Sequence, residues 1–325
     1  CSSDLATLAY VPAHAQQAAA EDTSPPINSA LDASLFQQLL IAEIEARRGQ
    51  TGEAFERLLD VARRTRDEQI FRRAVEIAMQ ARAGDQALVA TRVWRLALPR
   101  SLDALRAQLQ VLSALNRVND LAEPLRALLA ITPEAERGGL IAIIPRFLQR
   151  SPDRRQAAQL VDNVLKSYQA QRGTRIAALV ASGRAWLAAE DLDQALARAR
   201  EAHAAETDAP GPVLLALDLM AQRPAAEEIV KSHLAGASVD PAMRLAYARA
   251  LMSGQRFVDA VAQLERVTKD KPDLPQPYLT LGALQLEMRR PAEADAALRR
   301  YLQLAEAPAT AAADTDGDDE EEGDN

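Results

Sequence analysis

The 325-residue chain contains one cysteine, at position 1, and three histidines, His14, His203 and His233. A single cysteine excludes a disulfide framework or a thiolate metal cluster within one chain. Histidine metal sites need several ligands at short spacing, and these histidines are far apart. The chain also lacks G-x-S-x-G, G-x-x-x-x-G-K-[ST] and H-E-x-x-H. We therefore predict no catalytic site, no metal site and no cofactor.

Aromatic residues are scarce, at 4%, although apolar residues make up 48% of the chain. Clusters of strand-forming residues are missing, and the helix formers Ala, Leu, Arg, Gln and Glu dominate. The apolar run GGLIAII (138–144) is much shorter than the roughly 18 residues of a membrane span. The composition predicts an all-α protein without a transmembrane helix.

The formal net charge of −8 is concentrated in one stretch, because residues 314–325 (DTDGDDEEEGDN) contain eight carboxylates and no base. The rest of the chain has 38 acidic and 38 basic residues. A nucleic-acid surface would need a basic face, so we expect no nucleic-acid partner.

The first residues allow several interpretations. Residues 5–17 (LATLAYVPAHAQQ) look like the end of a secretory signal, with Ala13-His14-Ala15 in the A-x-A cleavage pattern. Alternatively, Cys1 followed by Ser2 fits an acylated bacterial lipoprotein. The sequence CSSDL also resembles translated adaptor sequence, and a cytoplasmic leader is a further alternative. The first two interpretations predict a periplasmic protein, attached to the inner face of the outer membrane if Cys1 is lipidated.

The chain divides into four segments. Residues 1–15 are the signal remnant or lipoprotein N-terminus, 16–33 a flexible linker, 34–307 a helical solenoid, and 308–325 a disordered acidic tail or inter-domain loop. Within the solenoid we predict eight helix–turn–helix units, of which the fourth is long and the sixth short. Their ranges are 34–66, 67–100, 101–134, 135–171, 174–208, 209–237, 239–273 and 274–307.

The units share matching positions. A small or apolar residue, here called the marker, opens the second helix of six units, as Ala54, Ala87, Leu121, Ala195, Ala260 and Ala294. The residue twelve positions earlier is small or apolar too, as Ala42, Val75, Leu109, Gly183, Ala248 and Gly282. Small residues at both sites allow the two helices of a unit to approach closely.

This pattern resembles the tetratricopeptide repeat (TPR), whose period is 34 residues. The eighth unit matches as Tyr278-x2-Leu281-Gly282 followed by Ala294-x3-Leu298. The resemblance implies an α-solenoid with a right-handed superhelix, because a single helix pair cannot bury its apolar face and neighbouring units stack. Most of the family's aromatic sites hold Leu or Ala here.

The resemblance also implies that the first helices line a concave groove that binds proteins or peptides. Four groove positions are arginines, whose guanidinium groups suit partner carboxylates. Alternatively they are solvated residues that pair with Glu76 or Asp103 on the same wall. The candidate groove residues are Arg72, Glu76, Met79, Arg106, Gln110, Arg184, Leu187, Leu245, Arg249, Met252, Gln276 and Leu279.

Residues 35–81 are similar to the start of proteobacterial TPR adaptors of the outer membrane. The shared residues lie in L-L-x-A-E-I (39–44), in A-R-x-T-x-D (as Ala62-Arg63 and Thr65-Arg66-Asp67) and in A-x-x-I-A (74–78). In relatives, such a lipoprotein captures a periplasmic C-terminal processing protease and presents cell-wall hydrolases to it. The shared residues are mainly packing residues, so they indicate common descent better than common partners.

These observations predict a non-enzymatic scaffold or adaptor of the bacterial envelope. Its expected partners are proteins or peptides, among them a periplasmic protease and cell-wall hydrolases. One alternative is a structural assembly factor of a secretion, pilus or polysaccharide-export complex. A second alternative is the repeat half of a longer protein that has a further domain.

Overall fold

The computed structural model describes residues 31–149, 151–236 and 239–306. The predicted leader with Cys1, most of the 16–33 linker and the acidic 308–325 segment lie outside these ranges. Every regular element in the described ranges is helical, which confirms the all-α prediction. The α-helices are α1 (Ala33–Arg47), α2 (Thr51–Thr65), α3 (Glu68–Gln80), α4 (Gly84–Ala97), α5 (Leu102–Ala114), α6 (Ala122–Ile131), α7 (Glu134–Phe147), α8 (Arg154–Gln169), α9 (Arg175–Ala188), α10 (Leu192–Ala205), α11 (Pro210–Leu219), α12 (Glu227–Leu234), α13 (Pro241–Ser253), α14 (Phe257–Asp270), α15 (Pro275–Glu287) and α16 (Pro291–Glu306).

These sixteen helices of the described chain form eight consecutive pairs that follow the eight predicted units. Polar caps begin several of the first helices. Asp32 accepts a hydrogen bond from the backbone N–H of Leu35 at 2.8 Å, and Ser101 accepts one from Ala104 at 3.0 Å. Such caps satisfy N–H groups that have no partner inside the helix. The breaks between units are therefore encoded locally.

One turn recurs between the two helices of six units. A residue in the left-handed conformation lies five positions before each marker. The next residue donates its N–H to the carbonyl five positions back, as from Arg256 to Leu251 at 2.9 Å. This is the six-to-one hydrogen bond of a Schellman motif. The left-handed residues are Gly49, Arg82, Asn116, Glu190, Gln255 and Arg289.

The small residues at the paired positions lie where the helices of a unit meet. A Cβ placed on Gly183 would lie 3.5 Å from the carbonyl oxygen of Ala195 and 2.4 Å from a methyl carbon of Leu215. A Cβ on Gly282 would lie 3.3 Å from the carbonyl oxygen of Ala294. The alanine markers are fully buried. The predicted close approach of the two helices is confirmed.

Three units depart from this plan. In the fourth unit, α7 packs mainly against α9 of the next unit and only weakly against its own partner α8. In the sixth unit, α11 and α12 have 10 and 8 residues. The third unit, predicted to be regular, shortens α6 to 10 residues because a 3-10 turn at Val118–Leu121 precedes it. The irregularities of the fourth and sixth units were expected from the sequence, whereas that of the third unit was not.

Ion pairs connect neighbouring units. Arg73 contacts Glu43 at 2.7 Å and Arg198 contacts Asp162 at 2.8 Å, and the paired residues are 30 and 36 positions apart. These separations are close to one repeat, so each pair joins a unit to its neighbour. No helix in the described ranges is long and apolar enough to cross a membrane.

Candidate protein-binding surface

All twelve predicted groove residues lie on first helices, and these helices form one layer of the solenoid. Eight of the twelve are exposed: Arg72, Glu76, Met79, Arg106, Gln110, Arg184, Arg249 and Gln276. Leu279 is half-buried. The half-buried side chains of Leu187, Leu245 and Met252 pack against the core, so they offer a partner only part of their surface.

Arg72 and Arg106 share one carboxylate. Arg72, on α3, donates to Asp103 on α5 in the next unit. Arg106 lies one turn along α5, with its guanidinium 3.6 Å from the same carboxylate. Exposed ion pairs of this kind stabilise a fold by about 0–1 kcal/mol. The two arginines are thus paired, but a partner's carboxylate can replace Asp103 at small cost.

Glu76 is paired as well, although not with Arg72. Its carboxylate lies 3.3 Å from Arg73, which also binds Glu43 through two hydrogen bonds of 2.7 and 2.9 Å. The Arg73 guanidinium lowers the pKa of Glu43 below its ordinary value. The Arg73–Glu43 contacts connect α1 to α3. Glu76 is thus paired with an arginine that also stabilises the fold, but its side chain remains exposed to solvent.

Arg184 and Arg249 differ from these two arginines. Among the residues that the structure describes, neither makes an ion pair or a side-chain hydrogen bond. Asp218 on α11 interacts with Arg184 over a longer distance. Burial raises the pKa of Asp218, and the positive charge of Arg184 opposes that rise. Arg184 and Arg249 are therefore available to a partner without the loss of an internal ion pair.

Two clefts lie on either side of Arg184 because α7 is displaced onto α9. The first, here called cleft I, has a volume of about 380 Å³ and is lined by residues of α7, α8 and α9. Its charged lining residues are Arg146, Arg154 and Arg184, and alanines make up much of the rest. The second, cleft II, has about 410 Å³ and is lined by Arg172, Arg184 and Glu206 among mostly small residues.

Sequence reasoning missed Arg146 and Arg172. Both belong to the irregular fourth unit, where the 34-residue register does not say which side chains face the groove. Like Arg184, neither forms a side-chain hydrogen bond or ion pair with the described residues. A signal was present in the sequence, because Arg146, Arg172 and Arg184 have no acidic residue three or four positions away.

A larger cavity of about 780 Å³ lies between the second helices α4 and α6. Part of its charge is paired internally: Arg95 binds Glu123 at 2.6 and 2.8 Å and also Gln108 at 2.8 Å. Asp120, which pairs with Arg117 at 2.6 Å, lines the cavity too. This cavity is larger than clefts I and II, but its three arginines are accompanied by two carboxylates, so its excess of cations is smaller than that of cleft I.

The two histidines within the described ranges contact neighbouring polar groups. His203 lies 3.0 Å from the hydroxyl of Ser232, and His233 lies 2.9 Å from the carbonyl oxygen of Thr207. Burial lowers the pKa of His203, and the nearby His233 adds to this effect. No group of three metal-binding side chains occurs in the part of the chain that the structure describes.

No family model matches the chain, and no curated protein matches it. Among solved structures, MamA from Desulfovibrio magneticus RS-1 aligns at 12% identity with a TM-score of 0.36, over 52% of this chain and 94% of that chain. PilF of Pseudomonas aeruginosa aligns at 17% identity with a TM-score of 0.34, over 70% of this chain and 99% of that chain. Yeast Tom70 aligns at 11% identity with a TM-score of 0.36, over 82% of this chain and 68% of that chain. Similarity this low says nothing about partners.

The helix pairs, the recurring Schellman turns and the small-residue contacts together define the architecture. The helix pairs and the small-residue contacts lie at the positions predicted from the 34-residue pattern, and the Schellman turns lie at a fixed distance from the markers of six units. The described part of the chain is a TPR-like α-solenoid of eight helix–turn–helix units.

Proposed function

We propose that this chain is a non-enzymatic scaffold that binds proteins on the layer formed by its first helices. The observation that carries the proposal is the presence of unpaired arginines on this layer, at Arg184 and Arg249. Other arginines at unit boundaries, such as Arg73, Arg198 and Arg256, are paired with carboxylates. A guanidinium group gains most when it meets a carboxylate in two parallel hydrogen bonds.

The partner contributes carboxylates and apolar side chains. Exposed Met79 and Leu286 lie on the same layer as the arginines and supply apolar contact area. In protein interfaces a few anchors of this kind carry most of the binding energy. The fold of stacked helix pairs supports this role, because such solenoids present an extended surface rather than one enclosed pocket.

We place this scaffold in the bacterial envelope, as an adaptor that presents substrates to a periplasmic processing protease. The support is the sequence of the first 17 residues, which is typical of an exported protein, and the resemblance of residues 35–81 to outer-membrane adaptors.

The proposal is tested by affinity capture from an envelope extract with the full chain as bait. One variant replaces Arg72, Arg106, Arg184 and Arg249 by alanine. The matched control variant replaces four exposed arginines of second helices, which are Arg63, Arg92, Arg126 and Arg299. Circular dichroism establishes that all three baits have the same helicity.

We expect the full chain and the control variant to retain the same partner, and the first-helix variant to lose it. A protease or wall hydrolase among the captured proteins would support the adaptor role. Equal capture by all three baits would contradict the proposed surface. Capture of a fixed set of partners in constant stoichiometry would favour an assembly factor instead.

A further inference from the structure

Cleft I has a larger excess of cations than cleft II or the cavity between α4 and α6. It is lined by three arginines and by no carboxylate. In cleft II, Glu206 is the one carboxylate of the lining, against Arg172 and Arg184. In the cavity between α4 and α6, two carboxylates accompany three arginines. Clefts I and II together have four arginines and one carboxylate, so anions are favoured there.

Of the four arginines of these clefts, only Arg154 contacts polar groups of the described residues. Arg154 lies 3.4 Å from the carbonyl oxygen of Ala188 and 4.0 Å from Glu190. Arg146, Arg172 and Arg184 form no side-chain hydrogen bond or ion pair with the described residues. Three unpaired guanidinium groups on both sides of α9 leave ten or more N–H donors available.

The clefts are also open enough to admit a chain. Alanine occupies most of the remaining lining, including Ala142 on α7, Ala157 on α8 and Ala185 on α9. Their short side chains leave volumes of about 380 and 410 Å³ on the two sides of Arg184. An extended segment with short acidic side chains fits such a surface, because its carboxylates reach the guanidinium groups without displacing bulky residues.

The chain itself contains a segment of this chemistry. Residues 314–325 hold eight carboxylates, whereas the remainder of the chain has equal numbers of acidic and basic residues. We propose that this acidic segment docks in clefts I and II of the same molecule, against Arg146, Arg172 and Arg184. Docking there covers the surface that the proposed function assigns to partners, so the segment acts as an internal competitor.

The geometry of the repeat allows this contact. An extended chain covers at most about 3.3–3.6 Å per residue, so the acidic segment begins about 27 Å and ends about 65 Å from Glu306. The clefts lie three units before the eighth unit, and packed helices are about 8–10 Å apart. Three such steps, and one more from α16 to the layer of first helices, give a required span of about 40 Å, which falls within the reach of the acidic run.

Zero-length cross-linking tests the proposal on the full chain. Arg146→Lys and Arg184→Lys each keep the positive charge and add an amine, which carbodiimide joins to a contacting carboxylate as an amide with loss of water. Arg92→Lys and Arg126→Lys, on second helices, are the matched controls. A mixture of ¹⁴N- and ¹⁵N-labelled chains distinguishes contacts within one molecule from contacts between two.

We expect cross-links from positions 146 and 184 to residues 314–324 to exceed those from positions 92 and 126 by about five- to tenfold, the ratio that about 1–1.4 kcal/mol of charge pairing produces. These cross-links join peptides of one isotope. They decline at 1 M salt, where the Debye length falls to about 3 Å. Equal yields at the four positions, or cross-links that join peptides of different isotopes, would overturn the proposal. Either result leaves the proposed function intact, because the baits of the capture experiment all carry the acidic segment and differ only in their arginines.

Discussion

Arg72 of α3 forms an ion pair with Asp103 of α5, across the boundary between the second and third units. Arg106 lies against the same carboxylate from one turn further along α5. The first-helix layer therefore neutralises part of its positive charge at this boundary, whereas Arg184 and Arg249 stay unpaired among the described residues. On this layer, the arginines of the second and third units are paired with a carboxylate of the protein, whereas Arg184 and Arg249 are free to bind anions.

Replacing Asp103 with asparagine is expected to strengthen the binding of acidic peptides. The substitution frees Arg72 and Arg106, which then contribute charge-assisted hydrogen bonds to a ligand. The probe is a labelled peptide of sequence DTDGDDEEEGDN, and the host is a full chain whose own residues 314–325 carry amides in place of carboxylates. Fluorescence anisotropy should show an increase in affinity of about threefold to tenfold, as expected for up to about 1.4 kcal/mol.

The control for this substitution is Asp270→Asn on α14, where Asp270 pairs with Arg266 at 3.1 Å. This pair lies on a second helix, so its loss should leave the peptide affinity unchanged. Equal affinity gains for both variants would mean that overall charge, and not the first-helix layer, decides binding. Both pairs are exposed, so neither substitution should lower stability by more than about 1 kcal/mol.

Gly282→Ala is expected to destabilise the eighth unit. The added methyl would lie 2.6 Å from Cγ of Leu298 and 3.3 Å from the carbonyl oxygen of Ala294. Overpacking of this kind costs about 1–3 kcal/mol and exceeds the gain of about 0.5–1 kcal/mol that alanine brings to a helix. The midpoint of thermal unfolding should fall.

Gly139→Ala provides the matched control, since Gly139 also lies inside a helix and a Cβ there meets no atom within 4 Å. The same circular-dichroism melts should show an unchanged or higher midpoint for this variant. A higher midpoint for Gly282→Ala would contradict the close approach of α15 and α16.

The two isoleucines at positions 44 and 77 occupy the same site of successive first helices. Ile77, in the second unit, is 1% exposed, whereas Ile44, in the first unit, is 41% exposed. Ile77→Ala should therefore cost about 2–5 kcal/mol, and Ile44→Ala no more than about 1 kcal/mol. Denaturant unfolding measures both. A large loss for Ile44→Ala would show that a further part of the protein covers α1.

Glu227 links the sixth and seventh units and should make the stability depend on acid pH. It accepts hydrogen bonds from Arg256 at 2.8 Å and from the hydroxyl of Tyr247, and it pairs with Lys231 at 3.2 Å. Arg256 contributes most to lowering the pKa of Glu227 to about 2. Burial raises the pKa of Tyr247, and the hydrogen bond to Glu227 adds to this rise.

The unfolded chain binds a proton at Glu227 near pH 4.3, so the stabilisation is fully present above about pH 5 and is lost as the pH falls toward 2. We expect Glu227→Gln to lower the free energy of unfolding by about 1–3 kcal/mol at pH 7. The difference from the unsubstituted chain should shrink as the pH is lowered from 5 to 2. Glu228→Gln is the control, because the Glu228 side chain is 81% exposed and lies 3.7 Å from Arg200. A difference for Glu227→Gln that does not change with pH would contradict this account.

The sequence predicted the helix pairs well because their signals are local. Small residues such as Gly183 and Ala195 recur at a fixed spacing, and their burial follows directly from the contact between the helices. The left-handed residues of the turns were not predicted. Glycine fills this position once, at Gly49, while the others hold residues such as Glu190 and Gln255 that are not typical of it.

The candidate site was predicted in part. The position of each residue within its unit predicted that Arg184 and Arg249 lie on the first-helix layer. The pairing of an arginine with Asp103 was one of the alternatives predicted from sequence. The clefts beside Arg184 were not predicted, because they arise from the packing of α7 on α9 in the next unit. This packing depends on the displacement of α7, and no single residue of α7 predicts that displacement.

Hydrogen–deuterium exchange tests the central claim most directly. The exchange of the full chain is measured alone and with a partner recovered by affinity capture. The account predicts slower exchange in the first helices α3, α5, α9 and α13, and unchanged exchange in the second helices. Slower exchange confined to α4, α6, α14 and α16 would contradict it.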